Sequence, residues 1–319
     1  MFFSPTPLHI PDGFLSTAVS LVGWFLAVIF IGIALRQTKN QLGERQVPLM
    51  GILAAFIFAA QAINFPVAAG TSGHLLGGTL AAIVLGPWAG TLVMTAVISV
   101  QALLFQDGGL LVMGWNILNM GVITAFTGFA VYMLVVRFLG TTTRSRLIGG
   151  FIGAWLSVVV SAIATAIELA ISGTSPLLLG LPAMAGVHAI IGLGEAIITI
   201  GAIGLLQASR PQVLTTGETA PGRRTATFTL VGLLAALGVS ALSPLASGHP
   251  DGLEFIAELQ GFLGLAQNPS FELMPDYTLP FLSDPVLTTI LAVAFGTLVV
   301  FGLAWFIARN SAQRGVVGD

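Results

Sequence analysis

The sequence predicts an all-α membrane protein: a polytopic helical bundle with a seven-span body and a two-span C-terminal appendix. Three observations carry this. Charged residues make up only 8% of the 319 positions, hydrophobic ones make up 55%, and the mean hydropathy is +0.97. A chain with so little polar surface cannot cover a water-soluble fold, so lipid is its expected solvent. The apolar residues also fall into stretches of about the length a helix needs to cross a bilayer.

In chain order these stretches are Thr17–Leu35, Val47–Phe65, His74–Gly86, Trp88–Phe105, Leu110–Phe138, Leu147–Ile171, Val187–Leu206, Ala226–Leu245 and Pro285–Ala308. The third is short, and His74–Phe105 also reads as one long helix. Charge decides between one crossing and two. Arg36, Lys39 and Arg45 follow the first span; Arg137, Arg144 and Arg146 follow the fifth. Arg210, Arg223 and Arg224 follow the seventh, and Arg309 and Arg314 follow the ninth. With two crossings in His74–Phe105, all eleven basic residues share the cytoplasmic side. The expected topology is therefore multi-pass, with the N-terminus outside and the C-terminus in the cytoplasm of a bacterial or archaeal plasma membrane.

Asp12, Asp107, Asp251, Glu254, Glu258, Glu272, Asp276 and Asp284 then share an outer face without a base. Such a face favours cation capture, although the positive-inside rule alone also empties that side of Lys and Arg. The polar Thr, Gly and Pro-rich segment 208–225 reads as a linker, which divides the chain into domains 1–207 and 226–319. The appendix carries an outer loop, Ala246–Asp284.

Composition also excludes. With no cysteine there is no disulfide scaffold and no thiolate metal site. Lys39 is the single lysine and lies in no Gly-rich phosphate loop, so this chain is no P-loop ATPase. No HExxH motif is present, and an enzymatic role is not expected.

The histidines point to a metal. All four, His9, His74, His188 and His249, lie in short polar or Gly/Pro-rich segments beside apolar runs. Imidazole is the main ligand left to such a chain for a borderline transition metal. His9 precedes a Pro11-Asp12-Gly13 turn signature that folds the N-terminus back toward the membrane. His74 stands among Gly70, Gly73, Gly77 and Gly78, where backbone can approach closely. His188 and Glu195 are seven positions apart, on one helical face. Glu168 and Glu195 have no basic partner in any span, so structural hydrogen bonding and support of a metal both remain open for Glu195. Asn64, Gln101, Asn116 and Asn119 are amides within apolar runs, suited to interhelical hydrogen bonds.

The stretches "HIPDGFLS", "NFPVAAGTSGHLLGG", "LGPWAGTLVMT", "VQALLFQDGGLLVMGWNILNMGV" and "GVHAIIGLGEAIIT" resemble the NikM/CbiM family. These are the substrate-capture (S) subunits of energy-coupling-factor transporters for nickel and cobalt. "HPDGLE", from His249 through Asp251 to Glu254, resembles the PDGLE domain of the small NikN partner, so the chain is similar to a fused NikMN protein.

The resemblance implies Ni(II) or Co(II) as transported substrate, captured on the outer face. It implies a transmembrane scaffold (T) subunit and two cytoplasmic ABC-type ATPases as partners beside membrane lipid, with no nucleic acid. It carries His74 over as a metal ligand and His9 as the anchoring imidazole. Asp12, Asn64, His188 and Glu195 follow as candidates for supporting contacts, and His249, Asp251 and Glu254 as an accessory motif. The family chelates through a free amine, the next amide nitrogen, that residue's imidazole Nδ1 and a further His, a flat set suited to Ni(II), Co(II) or Cu(II) over octahedral Mg(II). Here eight residues precede His9, whereas the family's His is second. Trimming to Leu8, a different start, or other donors are the three ways to reconcile this. A rival reading is a secondary metal/proton carrier using Glu168, Glu195 and His188.

Overall fold

The computed structural model describes residues 9–39, 43, 46–209, 223–269, 271 and 273–316. Most of the 208–225 linker, Leu8, Arg45 and Glu272 lie outside them. Of the described residues, 78% are helical. Its helices are α1 (Thr17–Lys39), α2 (Val47–Gln61), α3 (Gly78–Leu85) and α4 (Pro87–Val100). They continue with α5 (Met113–Leu139), α6 (Thr143–Ile171), α7 (Leu177–Ser209), α8 (Arg223–Ser240), α9 (Gly252–Gln260) and α10 (Pro285–Val316). Among the described residues the sheet content is one antiparallel pair, β1 (Phe65–Pro66) and β2 (Ser72–Gly73), with Phe65 opposite Gly73.

Among the described residues, seven helices, α1, α4 with its continuation to Phe105, α5, α6, α7, α8 and α10, are long and apolar enough to cross a membrane. The chain is a multi-pass membrane protein. The expected division of His74–Phe105 is real: α3 ends and α4 begins at Gly86, whose φ of 85° breaks the helix, and Pro87 opens the next. Two expected spans need correction. α2 has 15 residues, and α3 has 8, about 12 Å of helix against the roughly 30 Å of a bilayer core. The expected span at His74 is irregular backbone until Gly78. The seventh span starts earlier than expected, because Leu177–Gly186 is helical through Pro182.

Irregular backbone at membrane depth survives only where protein supplies its hydrogen bonds. The Thr71–Gly78 segment meets that condition. Thr71, Ser72, His74 and Leu75 are buried. Ser72 N–H donates to Pro250 O at 2.8 Å, and Leu76 O accepts from Gln61 Nε2 at 2.8 Å. Leu76 and Gly77 N–H donate to the two Glu195 carboxylate oxygens at 2.6 and 3.0 Å.

Small residues bring the helices together. A side chain at Gly153 of α6 would meet the Gly128 carbonyl of α5 at 2.6 Å, and one at Gly149 would meet Tyr132 O at 3.1 Å. The appendix is not a separate body. Its α8 and α10 pack on α2, where Gly232 admits Ile52, and Gly51 and Gly296 admit Phe301 and Phe58. Thirteen of the fifteen α2 residues are buried as a result. Large apolar side chains such as Phe25, Leu178 and Phe306 cover the outside of the bundle, the surface that lipid satisfies.

The turns distant from the described bases meet at one end. Gly109 N–H donates to Ile10 O at 3.0 Å and Gln267 N–H to Asp12 O at 2.8 Å. Thr174 Oγ1 donates to Phe14 O at 2.5 Å, and Ser247 N–H to Asn64 O at 2.8 Å.

Candidate metal centre

Local chemistry fixes the segment that carries His9. Asp12 accepts the Leu110, Leu111 and Val112 N–H groups at 3.1, 2.9 and 3.2 Å, capping the entry to α5. The Asn116 side chain brackets Ile10, accepting its N–H and donating to its O, both at 3.1 Å. Gly108, at φ 92°, lies under His9. A Cβ there would stand 2.8 Å from His9 Cβ and 2.9 Å from Asn116 Nδ2, so only glycine fits both the turn and the contact. The "QDGG" loop is thus the floor for the N-terminal turn, a role its glycines did not declare in the sequence.

His9 and His74 are brought together from opposite ends of this arrangement. Both are buried, with ring centroids 5.6 Å apart in an edge-on contact. They share a small cavity of about 60 Å³ with Asn116, Asn119, Ser161, Thr165, His188 and Asp251.

The hydrogen-bond partners set the imidazole tautomers. His74 Nδ1 lies 3.0 Å from Leu75 O, and His188 Nδ1 lies 2.9 Å from Met184 O. His9 Nδ1 lies 3.1 Å from Asp107 O and 3.3 Å from its Oδ1. Carbonyl and carboxylate oxygens only accept, so Nδ1 carries the proton in each ring and the lone pair is on Nε2. His9 Nε2 is buried without a partner, which is costly unless something fills the gap. The ring orientation differs from the chelate the family resemblance implies, in which this His binds through Nδ1. Asp107 occupies that side here.

The other expected residues separate. Asp12 holds the loop and does not line the cavity. Asn64 is buried away from it, with its carbonyl bound by Ser247 N–H and both side-chain polar atoms lacking a partner. His188 lines the cavity. Glu195 grips the two amides just after His74. Glu168 accepts from Asn119 Nδ2 at 2.9 Å. Among the described residues, no three His, Cys, Asp or Glu side chains cluster as a ready metal cage.

The accessory motif reaches the site by its backbone and one carboxyl. His249 has an exposed side chain, but its O accepts from Ser72 Oγ at 2.8 Å. Asp251 is the N-cap of α9, accepting Glu254 N–H at 2.7 Å in a capping box, and its side chain faces the cavity. Burial, with Glu254 and Asp107 nearby, holds the Asp251 carboxyl well above the usual carboxylate range. Gly252 leaves room for His188, whose Cε1 would lie 2.8 Å from an added Cβ.

Two residues escaped sequence reasoning as members of the site. Asp107 was one acid among many, and Tyr277, whose hydroxyl donates to Asp107 Oδ2 at 2.6 Å, carried no motif at all. Burial and that carboxylate hold the phenol well above its usual range, so it remains a donor.

Comparison with known proteins agrees with this architecture. The family described as the cobalt uptake substrate-specific transmembrane region, CbiM, matches residues 9–213. The PDGLE domain matches residues 226–313. A fused nickel transport protein NikMN of Archaeoglobus fulgidus is 38% identical over 308 residues, 95% of this chain and 98% of that one. The cobalt transport protein CbiM of Sorangium cellulosum is 31% identical over 65% of this chain and 94% of its own. A crystal structure of a truncated transition metal transporter superposes with a TM-score of 0.55 at 34% identity, covering 63% of this chain and 98% of that one. With a matched transmembrane region, a matched C-terminal domain and a relative aligned over nearly its whole length, the chain belongs to the CbiM family of nickel and cobalt transport proteins.

Proposed function

We propose that this chain captures Ni(II) or Co(II) on the outer face of a prokaryotic plasma membrane, with His9 and His74 as metal ligands. It acts as the substrate-specific subunit of an energy-coupling-factor transporter. A membrane scaffold subunit and two cytoplasmic ATPases then drive release inward. The observation that carries the ligand assignment is the pairing of two buried imidazoles over one small polar cavity, with His9 Nε2 left without a partner.

The family resemblance implies imidazole and backbone nitrogens as the donor set, which suits a borderline cation over a hard one. Asn119, Ser161 and Thr165 line the cavity wall and offer hydrogen bonds to the captured ion's own ligands. Lys39, the single lysine, lies in no Gly-rich phosphate loop, which is why ATP hydrolysis is assigned to partners. The carrier reading draws no comparable support, because Glu195 is committed to the Leu76 and Gly77 amides and Glu168 to Asn119.

Equilibrium dialysis of the purified chain against Ni(II) and Co(II) tests the site. Wild type should bind one ion tightly, and His74→Ala should lose at least a hundredfold in affinity, about 2.7 kcal/mol. Unchanged binding by His74→Ala overturns the ligand assignment. ATP-independent concentrative uptake in vesicles overturns the coupling.

A further inference from the structure

The segment that carries His74 enters α3 through irregular backbone, and α7 holds that backbone on both sides of the histidine. Before it, Gly73 lies against Ile191, where an added Cβ would stand 2.5 Å from Ile191 Cγ2. After it, Leu76 and Gly77 N–H donate to Glu195 Oε2 and Oε1 at 2.6 and 3.0 Å. Ile191 and Glu195 are one helical turn apart and share the α7 face that also carries His188. Gly77 immediately precedes α3 at φ 82°, so the fully buried Glu195 stands at the positive end of that helix. Two amide donors and the helix end offset the cost of burying its carboxylate there.

One peptide group joins this grip to the metal ligand. The N–H that Glu195 Oε2 holds belongs to Leu76, and the carbonyl of the same peptide unit is Leu75 O. That oxygen lies 3.0 Å from His74 Nδ1. A peptide unit is planar, so fixing the direction of its N–H also fixes the direction of its C=O. The bonds therefore run from carboxylate to amide and from carbonyl to imidazole, with the His74 lone pair on Nε2. The acceptor behind a ligand imidazole orients the ring and raises the basicity of its other nitrogen. A carboxylate at the N–H end polarises the amide and strengthens that acceptor, because hydrogen bonds in a chain reinforce one another.

We infer that Glu195 is a positioning residue of the metal site, holding the Leu75–Leu76 peptide so that Leu75 O orients His74 and raises the basicity of its Nε2. This rests on the reading of His74 as a ligand. It gives a buried carboxylate of α7 a part in metal capture that works through the backbone and needs no contact with the ion.

The full-length chain tests it through Glu195→Gln, which keeps the side-chain length and one acceptor oxygen and removes the charge. A second variant replaces the Leu75–Leu76 amide with an ester, which deletes the Leu76 N–H and keeps every side chain. Ni(II) affinity and the d–d absorption band of the Ni(II)-saturated protein should be measured for wild type, each variant and their combination. Each single variant should weaken binding on the order of tenfold or more and shift the band. The combination should stay within about twofold of the ester variant alone, because the carboxylate acts through that N–H. Wild-type affinity and band in Glu195→Gln, whatever its unfolding temperature, mean that the carboxylate only caps α3, and overturn the inference while leaving the metal-capture reading intact. Losses that add in full overturn it in the same way. If Glu195→Gln does not fold, wild-type affinity and band in the ester variant overturn it instead. A wild-type chain that binds neither Ni(II) nor Co(II) overturns the capture reading and this inference with it.

Discussion

Two Pro-Asp-Gly tripeptides bear on the metal site: Pro11-Asp12-Gly13 follows His9 and ties its segment down, and Pro250-Asp251-Gly252 of the appendix places Asp251 in the cavity wall. Both aspartates cap backbone N–H groups, but at different distances along the chain. Asp251 accepts Glu254 N–H, three residues on, and starts its own helix. Asp12 accepts three N–H groups nearly a hundred residues on, at the entry to α5. One turn builds local structure, and the other ties the N-terminal segment to the body. The same tripeptide serves both because a carboxylate cap needs only donors in reach, whether the chain supplies them nearby or by folding back.

The comparison breaks most sharply at Asp12. Asp12→Ala strands three donors and releases the segment that carries His9; the exposed Leu111 N–H can turn to water, while each of the two part-buried donors left unmet costs up to roughly 1–3 kcal/mol. Ni(II) affinity should fall on the order of a hundredfold or more, with a marked loss of thermal stability. Asp12→Asn should rescue this only in part, since one amide oxygen replaces two carboxylate oxygens. Dialysis together with a melting curve measures both. Affinity within twofold of wild type in Asp12→Ala means that the long-range cap does not position His9.

These distances also decide what the sequence disclosed. Periodic apolar length and the placement of bases located the helices and the break at Gly86, because burial in lipid acts on each segment separately. The HPDGLE segment was legible as a family resemblance, while the capping box that Asp251 and Glu254 form in it emerges from the structure. The half-length of α3 was not, since it depends on Gln61, Glu195 and Pro250 supplying hydrogen bonds to Thr71–Gly77 from three other places in the chain. His9 and His74 stood out by chemistry and by family resemblance. Asp107 and Tyr277 did not, because their roles exist only after the two domains have packed. Asp12 was expected near the metal and instead fixes the loop beneath it, a difference that only the long-range contacts reveal.

Asp251 should show the smaller, local effect. Asp251→Ala removes an N-cap at a cost of about 1 kcal/mol, visible as a modest fall in the unfolding temperature. Asp251→Asn keeps the cap and replaces a carboxyl whose charge burial opposes, so metal-free stability should match or exceed wild type. Ni(II) affinity should drop in both by no more than about tenfold, the effect of an outer contact on a bound ion. A hundredfold loss in Asp251→Asn would instead make this carboxyl a direct ligand, and the two turns would then contribute donors on equal terms.

The smallest expected effect concerns the histidine beside each turn. His9 stands three residues before its aspartate and His249 two before its own. His9 is buried in the cavity, whereas the His249 side chain is exposed. What His249 gives to the site is its carbonyl, which binds Ser72 Oγ and survives side-chain replacement. His249→Ala should leave Ni(II) affinity within twofold of wild type, whereas His9→Ala should lose nearly as much as His74→Ala. Any effect of His249→Ala should appear in uptake rate by the assembled transporter. A large equilibrium loss in His249→Ala would mean that its imidazole turns inward when metal arrives, and that the exposure of His249 does not decide which histidine binds.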